Sequence, residues 1–229
     1  MPIEPEPSRW SLRFDAEHPS DLVAVGADLE PGTLLAAYRG GLFPMGTGAD
    51  GAPPIGWWSP LRRGVLLPGD HHVSRSLRRA RGRFTTSIDR DFAAVVRACG
   101  DPGRDGRWIT PAVNKAYQRL HELGWAHSVE VWDDEGVLVG GLYGVGIGAF
   151  FAGESMFHRE TDAGKVAVWV AAEQVLSGAP GSLIDVQWRT SHLATLGVRE
   201  VDRVAYLGLL DTALVGAPPT VFDSPTEVS

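Results

Sequence analysis

The chain has 229 residues, 44% of them hydrophobic and 9% aromatic, which is enough to bury one large core or one core plus a small N-terminal companion and too apolar for extended disorder. A single cysteine, Cys99, excludes an internal disulfide. The opening Met1-Pro2-Ile3-Glu4-Pro5-Glu6-Pro7 lacks the basic and apolar regions of a secretory leader, so a cytoplasmic location is expected. The formal charge of −7 argues against a polyanionic partner only if it is taken as one number. Between Arg62 and Arg97 stand nine arginines against three aspartates, leaving the rest of the chain strongly acidic. Such asymmetry steers a polyanion to one patch and repels it elsewhere.

Taken in chain order, Leu29-Glu30-Pro31 precedes the apolar segment Leu34–Tyr38, which Gly40-Gly41 stops; this predicts a short helix with proline in its first turn. A loop rich in Pro and Gly leads to Trp57-Trp58-Ser59-Pro60. Ser74-Arg75-Ser76-Leu77-Arg78-Arg79 sets arginines at helical spacing, and Arg75, Arg78, Arg79 and Arg81 are candidate phosphate ligands. Asp89 is expected to open a helix whose face carries Phe92, Val95, Val96 and Cys99. Thr110-Pro111 supplies an N-cap and a first-turn proline for a helix with Val113, Ala116, Tyr117, Leu120 and Leu123 on its apolar face.

The second half predicts three antiparallel strands over Ser128–Trp132, Val137–Val145 and Ala149–Phe157. The uncharged run from Gly136 to Gly153 approaches the minimum length of a membrane span, but six glycines interrupt it from Gly140 to Gly153, and it reads as two buried strands. Asp162 is expected to cap a helix over Ala163–Leu176, with a break at Gly178–Gly181, a strand over Ser182–Gln187 and a short helix over His192–Leu196. The order β-β-β-α-β-α is similar to the α+β core of GCN5-related N-acetyltransferases, a mainly antiparallel sheet flanked by helices. The expected division is a small N-terminal domain over 1–62, that larger domain over 63–215 and a mobile Pro-, Ser- and Thr-rich tail over 216–229.

One polar group stands out from this apolar sheet. Asp185 and Gln187, two apart in a strand, should emerge on one face while Ile184 and Val186 point the other way, and Glu154 ends another strand-like run. None of His71, His72, His121, His127 and His192 has metal-ligand spacing with a second His or Cys three or four residues on.

Ten blocks occur in an order that closely resembles the leucyl/phenylalanyl-tRNA–protein transferases. Among them are Gly26-Ala27-Asp28-Leu29, Arg39-Gly40-Gly41-Leu42-Phe43-Pro44, Trp57-Trp58-Ser59-Pro60, Trp108-Ile109-Thr110, Gly153-Glu154-Ser155-Met156-Phe157 and Leu183-Ile184-Asp185-Val186-Gln187. The resemblance spans about Gly26 to Tyr206. It implies a cofactor-free enzyme that moves Leu or Phe, with Met a further candidate donor, from its tRNA to the α-amine of a protein beginning with Arg or Lys, marking the product for degradation. A monomer is the expected state.

The chemistry suits the residues. An aminoacyl ester is already activated, so the task is to hold two substrates together and manage one proton. The Gln187 carboxamide oxygen can accept a hydrogen bond from the attacking amine, with Asp185 orienting or polarising it. Glu154 is the candidate partner for the acceptor's positive charge; an ion pair with Arg159 or Lys165 is the plainer alternative. For the donor side chain, Leu142, Met156, Phe157, Val168, Val175 and Ile184 are apolar candidates. Trp108, Tyr117 and Tyr38 could stack on or hydrogen-bond the terminal adenosine.

Two departures from the family pattern are visible. Met45 stands where relatives usually carry an aromatic at the aminoacyl-adenosine site, and Ala171 and Ala172 stand where relatives often carry phenylalanine. A CoA-dependent N-acetyltransferase on the same fold is the alternative, but Phe157–Gly164 lacks the glycine-rich pyrophosphate loop and carries Glu160 and Asp162 there.

Overall fold

The computed structural model describes every residue except Asp105, Gly178, Ala179, Ser224, Pro225 and Ser229. The expected break at Gly178–Gly181 therefore lies partly outside the described residues. Strands β1 (Leu22–Val25), β2 (Phe43–Gly46) and β3 (Ile55–Trp58) form a small antiparallel sheet in the order β1-β3-β2, and helix α1 (Pro31–Arg39) connects the first two in sequence. Pro31 at the start of α1 loses no helical hydrogen bond, because its missing N–H would have had no partner there. Trp57 is fully buried and donates to Gly26 O at 2.9 Å, whereas its neighbour Trp58 is half-buried and donates to Met45 O at 3.0 Å.

The remaining strands are β4 (Arg62–Leu66), β5 (Thr85–Ile88), β6 (Ala126–Trp132), β7 (Leu138–Ile147), β8 (Phe150–His158), β9 (Leu183–Asp185), β10 (Arg199–Asp202) and β11 (Thr226–Val228). They build one eight-stranded sheet in the order β10-β4-β9-β8-β7-β6-β5-β11. Every pairing is antiparallel except β8 with β9, which run parallel across the crossover helix α5 (Ala163–Leu176). Seven α-helices are present among the described residues, the others being α2 (Arg75–Arg81), α3 (Phe92–Cys99), α4 (Pro111–Glu122), α6 (Ser191–Ala194) and α7 (Arg203–Leu214). The molecule is thus a mixed α+β protein.

Two hydrophobic clusters lie on the sheet. One gathers α5, Leu77 of α2 and the facing sheet residues Val129, Leu142, Phe151 and Ile184. The other joins α3 and α4 to the N-terminal elements, so Leu34, Leu35, Tyr38 and Trp57 pack in the same cluster as Val95, Tyr117 and Phe150. Helix α5 is apolar nearly all round, as befits a crossover covered on most sides.

Several local expectations change. Asp89 does not open α3: Asp91 caps it, accepting from Ala94 N at 2.9 Å, while Asp89 sits at φ 57° and takes His127 Nδ1 at 2.7 Å and Ser128 N at 2.8 Å. Asp162 holds the N-cap position of α5 in a left-handed conformation that turns its side chain away from the helix amides; it pairs with Lys165 instead. Described residues of the stretch after Gly216, expected to be mobile, make contacts with the body. Phe222 stacks on His127 at 4.1 Å and β11 pairs with β5, because the edge of β5 offers unpaired backbone groups that β11 satisfies. Among the described residues no helix is long and apolar enough to cross a membrane, and the Gly136–Gly153 run falls in β7 and β8.

Candidate active site

Strands β8 and β9 stay paired only through Ala152 and Asp185. Beyond that point they part, and the cavity opens between Glu154 and Gln187, each two residues past the last pair. It encloses about 160 Å³ and is walled by Leu142, Phe151, Met156, Val168, Ala171 and Ile184, with Val186 and Leu193 closing it. Gly153, Glu154, Ser155 and Gln187 complete its lining. Glu154 Oε1 and Gln187 Nε2 are both shut from solvent and have no hydrogen-bond partner among the described residues. Larger surface hollows exist, such as the 690 Å³ groove beside Pro5–Arg9 and Pro31–Thr33, but no such unpartnered atom lines that groove.

A β-bulge aims Glu154. Tyr143 pairs with Ser155 and Gly144 with Gly153, so Glu154 is the extra residue on β8. The alternation of side chains reverses across it: Phe151 before the bulge and Met156 after it both face the α5 side. Phe150 and Phe157 both face the other side. Freed from the ladder, Glu154 reaches Tyr117 of α4, whose hydroxyl donates to Oε2 at 2.9 Å. Tyr117 in turn makes a short hydrogen bond with Tyr38 of α1. Burial raises the Glu154 carboxyl to about 7, against the opposing effect of these hydroxyls. Burial, with the Glu154 charge adding to it, likewise holds the Tyr38, Tyr117 and Tyr143 phenols well above their ordinary value, so all three are neutral donors at physiological pH. The Tyr143 hydroxyl is buried without a hydrogen-bond partner among the described residues.

Asp185 belongs to a different network. Its carboxylate, fully buried, takes Arg63 Nε at 2.8 Å and Nη2 at 2.6 Å, the Tyr206 hydroxyl at 2.9 Å and Gln187 N at 2.9 Å. Burial alone would lower the Arg63 guanidinium; the Asp185 charge outweighs it and drives the pKa upward.

Gln187 departs from the strand reading. Strand β9 ends at Asp185, and Gln187 adopts φ 59° in a γ-turn where Trp188 N donates to Val186 O at 2.7 Å. Asp185 and Gln187 therefore do not share a strand face, and the contact between them runs through the Gln187 amide rather than its carboxamide. The reason is Gly64 on β4. Its N–H donates to Gln187 O and its carbonyl accepts from Val186 N, each at 3.0 Å, and a Cβ there would come within 2.9 Å of Trp188 backbone.

The structure brings together Glu154, Gln187, Leu142, Met156, Val168 and Ile184. It keeps others apart. Phe157 is buried on the opposite face with Arg159 stacked on its ring, and Val175 is buried in α5, so neither lines the cavity. Tyr38 and Tyr117 are 1% and 0% exposed, which leaves no ring face for a base; their hydroxyls hold Glu154 instead. Trp108 is half-buried and edge-on to Tyr117 at 6.5 Å, and Met45 is half-buried on β2. The plainer alternative for Glu154 fails: Arg159 donates to Leu138 O and Lys165 pairs with Asp162. Phe151, Val186 and Leu193 also line the cavity, and periodicity could have flagged only Phe151, as part of a strand whose alternation the bulge then reverses.

The arginine stripe is in part as expected. Ser74 caps α2, accepting from Leu77 N at 3.2 Å, and Arg75, Arg78 and Arg79 are exposed. Arg81 is not free for a polyanion: it donates to Thr86 Oγ1 at 3.2 Å and lies over the Trp169 ring. Arg63, counted by charge in the basic stretch, is buried in the Asp185 network.

Two family models match, for leucyl/phenylalanyl-tRNA protein transferase over residues 65–211 and for the N-terminal domain of that family over residues 27–61. The chain belongs to this family. A leucyl/phenylalanyl-tRNA–protein transferase of Dechloromonas aromatica is 47% identical over 209 residues, covering 89% of this chain and 87% of the relative. One from Azotobacter vinelandii is 50% identical over 192 residues, covering 82% and 83%. One from Shigella dysenteriae is 44% identical over 223 residues, covering 94% and 93%. The two family segments meet at β4, the strand that carries Arg63 and Gly64 against the Gln187 turn.

Proposed function

We propose that the chain is an aminoacyltransferase that moves Leu or Phe, with Met a further candidate donor, from aminoacyl-tRNA to the α-amine of a protein beginning with Arg or Lys, in the cytoplasm and as a monomer. The product then carries a degradation signal. One observation carries this reading: a small apolar cavity lined by Glu154 and Gln187, whose Oε1 and Nε2 find no hydrogen-bond partner among the described residues. An apolar donor side chain fills such a cavity, and a cationic acceptor residue meets the open Glu154 oxygen.

In this reading Leu142, Met156 and Ile184 bind the donor side chain, with Ala171 leaving room where relatives often carry phenylalanine. Trp108 is the remaining aromatic for the adenosine, and Met45 offers its polarisable sulfur at the position of the usual ring. Gln187 positions the attacking amine through its carboxamide oxygen, while Asp185 holds the turn from which that side chain projects. The amine attacks the ester carbonyl, the bond to the ribose oxygen breaks, and the proton lost by the amine passes to the departing hydroxyl directly or through water. Glu154 pairs with the acceptor's guanidinium or ammonium. Exposed Arg75, Arg78 and Arg79 meet tRNA phosphates. The division at residue 62 and the likeness of residues 63–215 to the GCN5-related fold belong to the same proposal; the parallel β8-α5-β9 unit beside antiparallel strands supports it.

Incubation with charged leucyl-tRNA and an Arg-initiated peptide tests the proposal. Mass spectrometry is expected to show a one-residue extension of the peptide. Acetylation by acetyl-CoA without such extension would reverse it.

A further inference from the structure

We propose that Arg63 is a positioning residue for the transfer reaction, acting through Asp185 to hold the Gln187 turn; this rests on the reading of Gln187 as the group that positions the amine. Left-handed backbone at a residue with a side chain is costly, and it persists only where the surroundings over-determine it. At Gln187 the surroundings are countable. Gly64 clamps the turn from one side with two backbone hydrogen bonds, and Asp185 Oδ1 accepts the Gln187 amide from the other. The Asp185 side chain could not do this unaided, since a buried carboxylate without a counter-charge takes up a proton or turns away.

Arg63 fixes it in both respects. Its guanidinium meets the two carboxylate oxygens side-on, through Nε to Oδ1 and Nη2 to Oδ2, which sets the plane of the carboxylate as well as its charge. The guanidinium is itself held on all sides. Nη1 donates to Gly41 O at 3.3 Å and Nη2 to the Tyr206 hydroxyl at 3.2 Å, and the Phe43 and Tyr206 rings lie 4.9 and 4.3 Å from its central carbon. Phe43 and Gly41 come from the N-terminal sheet and the turn before it, Tyr206 from α7. Arg63 therefore ties three separate parts of the chain to the one turn that presents Gln187, while touching no part of the cavity itself. Lysine keeps the charge but cannot reproduce the fork.

A mutant cycle with R63M, D185N and the double variant tests this, with R63K as the milder change should R63M fail to fold. R63M is expected to lower kcat on the order of a hundredfold, the scale of a small misplacement of a reacting group, with KM for peptide and tRNA little changed. R63K is expected to restore part of that loss. In the D185N background the Arg63 change is expected to have almost no further effect on kcat, because its route is already cut. Additive losses, or a loss confined to KM, would overturn the proposal. Amide hydrogen exchange at Gln187 supplies a readout independent of turnover. Protection there is expected to fall in R63M and R63K while Val95 and Val96 in the core keep theirs; unchanged Gln187 protection would also overturn it. A wild-type chain that transfers no aminoacyl group would refute the function and leave the exchange result to judge Arg63.

Discussion

Two buried networks lie on either side of the cavity and differ in one respect. Around Asp185 every strong donor and acceptor is matched: two arginine nitrogens, a tyrosine hydroxyl and a backbone amide satisfy the carboxylate. Around Glu154 one oxygen is served by Tyr117 and the other by no hydrogen-bond partner among the described residues. A complete network fixes geometry and resists perturbation. An incomplete one holds a carboxylate in a place where its charge is expensive, and that cost is relieved when a cation arrives. The contrast separates the residue that shapes the site from the one that waits for a ligand, although both are acids buried in the same sheet.

The largest expected effect comes from breaking the complete network. D185L strands the Arg63 guanidinium in the core, and urea unfolding is expected to show a loss of about 3–5 kcal/mol. A loss below 1 kcal/mol would mean that the pair contributes nothing beyond packing.

Breaking the incomplete network should act on binding. E154Q is expected to raise KM for an Arg-initiated peptide by roughly thirtyfold or more and to leave tRNA affinity alone, the outcome of removing one partner of a close charge pair. Stability should move the opposite way. Burial pushes the Glu154 pKa up to about 7 from its ordinary value of 4.5, so the folded chain keeps a proton that the unfolded chain has lost. Wild-type stability therefore declines from that source as pH rises from 4.5 to 7. E154Q is expected to melt higher than wild type at pH 8, with the advantage shrinking toward pH 5. Equal melting temperatures at pH 8 would show that the carboxylate is better solvated than its surroundings suggest.

The same titration gives a smaller, graded effect in the wild-type enzyme. Below about pH 7 Glu154 protonates, and peptide KM is expected to rise by up to about tenfold per pH unit. A pH-independent KM between 5.5 and 8 would detach Glu154 from acceptor recognition. The smallest predicted change concerns the surface. Alanine at Arg75, Arg78 and Arg79 together should lower the slope of log tRNA affinity against log salt by about 2–3, while R81A should change it little because Arg81 already bonds Thr86.

Much of the fold was legible because the signals were local. Thr110 and Pro111 mark the start of α4, since an N-cap hydroxyl and a first-turn proline act within one helical turn. Strands β6 and β7 follow from alternation and from the Asp133–Gly136 turn. Alternation misled where an extra residue entered the ladder. Nothing in Gly153-Glu154-Ser155 announces a bulge, and a period-2 reading of Ala149–Phe157 puts Phe157 on the wrong face. The same rule gave Asp185 and Gln187 one face, because a left-handed glutamine cannot be inferred from a residue type that rarely adopts that conformation. Tyr38 and Tyr117 were expected to meet a base, but both end buried with their hydroxyls in the hydrogen-bond chain that reaches Glu154, since aromatic character says nothing about whether a ring ends exposed.

By itself the sequence determined the kinds of elements, their order, the uneven charge and the family, all of which rest on residue types and short spacings. It also marked Glu154, Asp185 and Gln187 as the polar exceptions in an apolar sheet. Only the tertiary structure decided their partners. Arg63 and Asp185 lie 122 positions apart, Tyr38 and Tyr117 79, and Tyr117 and Glu154 37. Which buried charge is matched and which is left open depends on how β4, α1, α4 and α7 close around β8 and β9, and that closure is a property of packing rather than of any local run of residues.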